Sequence, residues 1–356
     1  MKIARVDIAP FEPRYSGQGY MMSTGRVTRL HDRLVRLTVD NGMAGIGEIV
    51  RPCIYDPNEV AALEDAHIPE LHGMEVADLP AVLAKWRSGG KLLQGFVFGV
   101  ELAMLDLMAR VMRVPVSALL GGALVEDMPE YLSLSCESPE EMAETVRRHG
   151  DDFTVIQAKL GDGSLDRDLD RLRAVLAVMR PDQQLLADFN GALAPDDAIH
   201  GLPEVSDPRI MWEEPCNDYD DSMQVARALD APVMLDQCLT DLATYARALH
   251  DGAAAALVIK SDSIGGLTVG RTVRDMCAAA GIRTRIDGWW VGQVAGAGAL
   301  HLAVGTPAGS LIASIDLTDP LETDRSLICR PKPGRVAHAS GAGLGAIPNA
   351  VLDCFG

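Results

Sequence analysis

Gln184-Leu185-Leu186-Ala187-Asp188, then Ile210-Met211-Trp212-Glu213, then Val233-Met234-Leu235-Asp236 are three short apolar runs, each closing on a carboxylate. Segments of helix length and mixed polarity separate them. Apolar runs without polar alternation read as strands buried on both faces, and in a strand–helix–strand pattern that means a parallel sheet. The pattern extends outward in both directions, to Tyr131–Leu134 and Thr154–Ile156 before it and to Ala256–Ile259, Ile282–Ile286 and Leu311–Ile315 after it. Ser138-Pro139-Glu140-Glu141 opens the clearest intervening helix, with Ser as N-cap and Glu at the third position, a capping box. Eight alternations over ~190 residues point to a parallel α/β barrel rather than an open sheet.

In such a barrel, catalytic side chains gather at the carboxyl ends of the strands. The first ionisable residue at or just past each run gives Lys159, Asp188, Glu213, Asp236, Lys260 and Asp287, separated by 29, 25, 23, 24 and 27 residues. Each interval is about one strand–helix unit, so six consecutive strands deliver one ionisable residue each to the same face. Three neighbouring carboxylates repel one another unless a cation lies between them. An oxygen-only set without His or Cys favours a hard ion, which points to Mg²⁺. Lys159 and Lys260 flank the carboxylates and have two readings. They form ion pairs, or they act as bases whose pKa is lowered by desolvation and a nearby cation. In the second reading a substrate carboxylate meets the ion, a lysine takes the α-proton, and positive charge stabilises the enediolate.

The first ~120 residues read differently. Leu34, Arg36 and Thr38 alternate with Val35, Leu37 and Val39, and Asn41-Gly42 suggests a type I′ turn before Met43–Glu48, hence an antiparallel hairpin. Helical stretches follow at Asn58–His67 and Phe98–Met112, and Pro115 and Gly121-Gly122 end the segment. The expected organisation is a small α+β unit over 1–122, the barrel over 123–322, and a segment over 323–356 that returns to the first unit. That last segment, with Pro331, Pro333, Gly341, Gly343 and Gly345, reads as irregular.

At 356 residues the chain can bury roughly three quarters of its unfolded surface without disulfides. Lys+Arg 32 against Asp+Glu 50 gives −18, which repels a phosphate backbone. Nothing approaches the ~20 apolar residues of a membrane span, and Met1–Pro10 has no signal-peptide pattern. The seven cysteines are odd in number and lack a CxxC, as for free thiols in a reducing compartment. The expectation is a cytoplasmic protein acting on a small molecule, with neither nucleic acid nor membrane as partner.

Smaller candidates have two readings each. Ser135 binds a substrate carboxylate or belongs to turn chemistry. Asn190 lies on the side of Asp188 and can support a bound ion from behind. Arg285 meets a second carboxylate or forms an ion pair. Trp289 and Trp290 form a wall for a cation or pack, and Tyr20 and Tyr55 fall in loops able to close over the site.

Asp40-Asn41-Gly42 with Gly47-Glu48, Val114-Pro115 with Leu119-Leu120-Gly121-Gly122, Gln157-Ala158-Lys159-Leu160-Gly161, Ala187-Asp188-Phe189-Asn190, Glu213-Glu214-Pro215, and Ile259-Lys260 with Gly265-Gly266-Leu267 together resemble the enolase superfamily, in its muconate-lactonizing-enzyme-like branch. The resemblance covers nearly the whole chain. It implies a capping domain over a (β/α)7β barrel, Mg²⁺ on Asp188, Glu213 and Asp236, Lys159 and Lys260 as the acid/base pair, and a homo-oligomer. The branch's usual K-x-K stands here as Gln157-Ala158-Lys159. That Gln, with Glu213-Glu214-Pro215-Cys216, Asp287 followed by Trp290, and Tyr15-Ser16, resembles cis-3-hydroxyproline dehydratases and proline-betaine or hydroxyproline-betaine epimerases. There the seventh-strand Asp and nearby aromatics meet a cationic nitrogen, in keeping with the attraction of ammonium to Trp. The resemblance implies Asp287, Trp290 and Gln157 as substrate contacts; Ser135 and Tyr55 join them as candidates by position, and Asn190 and Gln237 are the candidates behind the ion. Two positions depart from the pattern: Gln237 stands where the branch usually has Glu, and Val291-Gly292-Gln293 where the proline-derivative enzymes carry Gly-Gly-Asp. The expected activity is Mg²⁺-dependent removal of a proton α to a carboxylate, leading to dehydration of cis-3-hydroxy-L-proline or a related proline derivative. The alternatives are racemisation or epimerisation of a proline-type amino acid or betaine and, from another class, a barrel that binds metal and ligand without turnover.

Overall fold

The computed structural model describes residues 1–13, 19–23, 25–50, 56–288, 291–315 and 326–356. Its N-terminal part comprises β1 (Ile3–Phe11), the short hairpin β2 (Tyr20–Met22) and β3 (Gly25–Val27), then β4 (Asp32–Val39) and β5 (Ala44–Ile49). β1, β4 and β5 pair antiparallel, with Ile8 opposite Val35 and Val35 opposite Gly47. The Asn41-Gly42 turn is not type I′. The ladder stops at Thr38 opposite Ala44, which leaves a loop longer than the two residues that type favours. Only Gly42 takes a positive φ there (+84°), its N–H donates to the Val39 carbonyl, and the Asn41 side chain accepts from the Met43 N–H.

Helices α1 (Pro57–Leu71), α2 (Leu79–Trp86), α3 (Lys91–Met112) and α4 (Val116–Leu119) follow. α3 begins seven residues earlier than its apolar spacing suggests and lies against β5. Glycines set that approach. A Cβ at Gly47 would stand 2.0 Å from the Gly99 carbonyl oxygen, and one at Gly99 would stand 2.5 Å from Ile49 Cγ1. Gly47→Ala is therefore expected to cost about 1–3 kcal/mol and several degrees of thermal midpoint. Gly309→Ala, with nothing within 4 Å of its added carbon, is the matched control and should stay near wild type. Equal thermal unfolding of the two variants would refute this packing argument.

The barrel runs β7 (Tyr131–Leu134), α5 (Pro139–His149), β8 (Val155–Lys159), α6 (Leu165–Leu176), β9 (Gln184–Asp188), α7 (Pro195–Gly201), β10 (Ile210–Glu213), α8 (Tyr219–Ala228), β11 (Val233–Leu235), α9 (Leu242–Asp251), β12 (Ala256–Lys260), α10 (Leu267–Ala280), β13 (Arg283–Asp287), α11 (Gln293–Ala303) and β14 (Leu311–Ser314); β6 (Met128–Pro129) precedes it. The eight strands form one parallel sheet in the order β7 to β14. Side chains alternate between its two faces. Leu185, Ala187, Ile210, Trp212, Val233, Leu235, Leu257 and Ile259 join the large core beneath the helices. Tyr131, Val155, Leu186, Met211, Met234, Ala256, Val258, Ile312 and Ala313 form a separate apolar floor inside the barrel. Among the described residues, no helix is long and apolar enough to cross a membrane.

The reading of the tail as irregular is corrected. β15 (Ile328–Lys332) and β16 (Arg335–His338) form an antiparallel hairpin that adds to β6, followed by α12 (Asn349–Leu352). Pro331 and Pro333 do not prevent this, because β15 lies at the sheet edge, where a missing N–H costs little. Beyond the hairpin, Gly343 N–H donates to the Val114 carbonyl and Leu344 N–H to Asp106 Oδ1.

Three buried carboxylates from the N-terminal part hold backbone elsewhere. Asp106 accepts from Ile46 N–H and Leu344 N–H. Glu101 accepts from Thr268 N–H at the start of α10. Glu48 accepts from the N–H groups of Gly292, Val294 and Ala295 at 2.7, 3.1 and 2.9 Å, which caps α11. A carboxylate is well placed there, facing the unpaired N–H groups and positive dipole end of a helix.

Candidate functional site

Strand parity aims the candidate residues. Lys159, Asp188, Glu213, Asp236 and Lys260 lie two or four residues beyond the floor residues Val155, Leu186, Met211, Met234 and Val258, so they face the same interior. Register then levels them. Lys159 pairs with Asp188, Asp188 with Glu213, and Lys260 with Asp287 across adjacent strands. β8 and β12 are four strands apart in a sheet of eight, so the two lysines stand across the barrel mouth from each other.

Lys159 Nζ contacts Asp188 Oδ2 at 2.5 Å, and Lys260 Nζ contacts Asp236 Oδ2 at 2.6 Å. Gln157 Nε2 donates to Asp188 Oδ2 (3.1 Å) and to Glu213 Oε2 (2.9 Å), bridging two carboxylates. Asn190, at a left-handed φ of +48°, donates its backbone N–H and its side-chain amide to Asp188. Arg285 grips Glu213 with both terminal nitrogens, at 2.7 and 2.6 Å. Asp287 accepts from the Tyr131 hydroxyl (2.7 Å) and the Gly288 N–H (2.9 Å). Glu214, buried behind the rim, accepts from the N–H groups of Asp236 and Cys238 and so orients the turn after β11.

Of the expected substrate contacts, Asp287 and Gln157 lie in this interior. Ser135 sits at its edge, with its hydroxyl held by the backbone N–H and carbonyl of Met21. Gln237 is half-buried beside Asp236. Trp290 and Tyr55, like Trp289, Tyr15 and Ser16, lie outside the described residues. The Tyr20 hydroxyl meets Ser133 Oγ, which donates to Gln157 Oε1 at 3.2 Å, so the β2–β3 hairpin reaches the carboxylates through a short polar chain. Tyr131, Ser133 and Glu214 had no assigned part in the sequence reading. Parity with Ser135 was the available signal for Tyr131 and Ser133.

Electrostatics shape what these groups can do. Burial pushes the Glu213 carboxyl up to about 7; Arg285 pulls it down, while Asp188 and Asp236 push it up. Burial and Asp236 raise Glu214 to about 8. Burial opposes the ammonium of each lysine, yet both stand above the usual lysine value. Asp188 and Glu213 outweigh burial at Lys159, and Asp236 and Asp287 at Lys260. This is the ion-paired reading of the two lysines; the lowered pKa belongs to the reading in which a cation engages the carboxylates. Carboxylates in direct contact favour the charged form more than burial disfavours it.

The donor set suits a hard divalent cation. It comprises three carboxylates on successive strands with no His or Cys among them, and the middle one is raised first by burial and then by its like-charge neighbours. Beside them Asn190 Oδ1 is buried without a hydrogen-bond partner among the described residues. As the side chains stand, no group of three or more His, Cys, Asp or Glu among the described residues is gathered closely enough to hold an ion. Each carboxylate instead carries a cationic side chain.

Residues 137–350 match the family described as enolase C-terminal domain-like. A cis-3-hydroxy-L-proline dehydratase from Roseibium aggregatum is 27% identical, over 100% of this chain and 97% of that protein. A hydrophobic dipeptide epimerase from Enterococcus faecalis is 24% identical, over 80% of this chain and 82% of that protein. A crystal structure of an enolase-superfamily member from Roseovarius nubinhibens ISM, complexed with magnesium, superposes with TM-score 0.87 at 25% identity, covering 100% of this chain and 97% of that one.

Proposed function

Because this chain belongs to the enolase superfamily, in its mandelate racemase/muconate-lactonizing-enzyme-like family of enzymes, we propose that it removes the proton α to the carboxylate of a small molecule, with dehydration of cis-3-hydroxy-L-proline or a related proline derivative as the leading reaction. One observation carries this reading: Lys159 and Lys260 face each other across the barrel mouth, one on each side of the carboxylates. Superfamily members bind Mg²⁺. Here Asp188, Glu213 and Asp236 would hold it. When bound it supplies positive charge beside the substrate carboxylate, which acidifies the α-carbon.

The rest belongs to the chain. One lysine, in the neutral form it would take when a cation engages its carboxylate partner, takes the α-proton from the substrate face turned toward it. The opposite lysine assists a β-hydroxyl to leave as water, giving the dehydratase. Asp287, which accepts from the Tyr131 hydroxyl, is the negative partner this reading gives to a cationic ring nitrogen. Gln157 bridges two of the carboxylates. The 27% identity to a cis-3-hydroxy-L-proline dehydratase supports the order of readings. In the second reading the opposite lysine returns a proton to the other face and the product is an epimer. The dipeptide epimerase relative keeps that open.

The test is a proton NMR time course in D₂O with Mg²⁺ and L-proline, cis-3-hydroxy-L-proline, trans-4-hydroxy-L-proline and their betaines. Loss of the α-proton signal with a new unsaturated or ketimine product is expected for cis-3-hydroxy-L-proline, and EDTA should stop it. Deuterium wash-in with inversion would select the epimerase instead. No exchange with any compound would remove the proline-derivative reading.

A further inference from the structure

The middle carboxylate of the rim, Glu213, is already engaged on both oxygens. Arg285 holds them as a two-pronged fork at 2.7 and 2.6 Å, and both residues are essentially buried, at 1% and 0% exposure. The guanidinium is fixed on its other sides too. Its carbon lies 5.1 Å over the Tyr131 ring, and Nε stands 3.3 Å from Asp287 Oδ2, which the Tyr131 hydroxyl and Gly288 N–H hold in place. A buried guanidinium persists only where opposite charge and hydrogen bonds offset its desolvation; here Glu213 supplies both and Asp287 charge alone, the Nε making no hydrogen bond among the described residues. A carboxylate gripped by such a fork has its best-aligned lone pairs occupied. An incoming divalent ion therefore finds only the remaining ones, with a permanent positive charge close by.

Resting on the assignment of Glu213 as a metal ligand, we propose that Arg285 is a built-in rival of the metal ion. It shares Glu213 with the ion, orients it, and sets the Mg²⁺ affinity of the free enzyme below what three carboxylates alone would give. Asp188 and Asp236 carry lysines on unbranched, flexible stems that are 12% and 17% exposed, so those cations can move aside. Arg285 is planar, always charged and packed on an aromatic ring, and it cannot withdraw so readily. The Gln157 amide also reaches Glu213 Oε2 but carries no charge, so among the cations the lasting rivalry is that of Arg285.

The experiment is calorimetric titration of the whole protein with Mg²⁺ alone, so the readout is binding rather than turnover. Arg285→Gln is expected to bind Mg²⁺ at least about tenfold more tightly than wild type, equivalent to about 1.4 kcal/mol. Arg285→Lys, which keeps the charge but not the fork, should fall between the two. A larger Mg²⁺-induced rise in thermal midpoint for Arg285→Gln should accompany the tighter binding. Unchanged or weaker Mg²⁺ affinity in a folded Arg285→Gln, checked by circular dichroism, overturns the proposal and leaves the metal site intact. If Arg285→Gln does not fold, Arg285→Lys decides alone: tighter than wild type supports the rivalry, equal or weaker overturns it. Absence of Mg²⁺ binding in wild type and variants alike overturns the metal assignment itself, and this inference with it.

Discussion

Replacement of either Lys159 or Lys260 by Ala is expected to lower the rate of α-proton exchange by about 10²–10⁴-fold, the range for loss of a positioned acid or base. The fold should survive. Asp188 keeps Gln157 and Asn190 when Lys159 is removed, and the turn carrying Asp236 stays anchored on Glu214 when Lys260 is removed. Kinetics and thermal midpoint must therefore be measured together, and a rate loss with a near-native midpoint is the expected pair. Because the lysines face each other across the barrel mouth, the single variants should also differ in stereochemistry. In D₂O each should retain residual exchange only with the isomer whose α-proton points at the surviving lysine. A Lys→Ala variant with full activity would sink the assigned role, and residual exchange without stereochemical preference would sink the opposed geometry.

The largest structural effect is expected at Glu48, far from the carboxylates in sequence. Its side chain accepts three backbone N–H groups at the start of α11, and a Cβ at Gly292 would stand 2.4 Å from its Oε1. Burial pushes this carboxyl above its ordinary range, against the downward pull of the Ala295, Gly292 and Val294 amides. Glu48→Ala strands those amides in a dry interface and removes the charge facing the helix dipole. A loss of about 3–5 kcal/mol follows from three buried N–H groups left unpaired, each near the low end of the about 1–3 kcal/mol such a group costs. For a chain of this size the thermal midpoint should fall on the order of 10 °C. Glu48→Gln keeps one acceptor oxygen and should lose less. An Ala variant within about 0.5 kcal/mol of wild type in chemical unfolding would contradict the capping role. Since α11 follows the loop at the barrel mouth, Glu48→Ala should also weaken activity, a loss that Lys159→Ala reproduces without any change in stability.

Much of this molecule was legible without coordinates. The eight apolar runs became eight parallel strands, and the ionisable residue at the end of each of six runs faces the barrel mouth. Both follow from local rules. A doubly buried strand must be apolar throughout, and a period of two dictates which way its last residue points. The capping box at Ser138 is equally local and forms as expected, with both reciprocal hydrogen bonds present. The Asn41-Gly42 turn and the 328–338 hairpin were misread for a related reason. Loop length and edge position, which come from pairing partners far along the chain, override the preference of a dipeptide or of two prolines.

What the sequence by itself determined is therefore the list of groups and the wall each stands on: strand order, parity, and the lysine–carboxylate–lysine sequence around the rim. What only the tertiary structure decided is who touches whom. Arg285 on Glu213, Gln157 bridging Asp188 and Glu213, Glu48 on α11 and Asp106 on Leu344 join residues 31 to 247 positions apart. Such pairs arise because closing the barrel forces charges from distant strands into one small dry space. There each must find an opposite charge or a hydrogen bond, and no local spacing in the chain records which partner it finds.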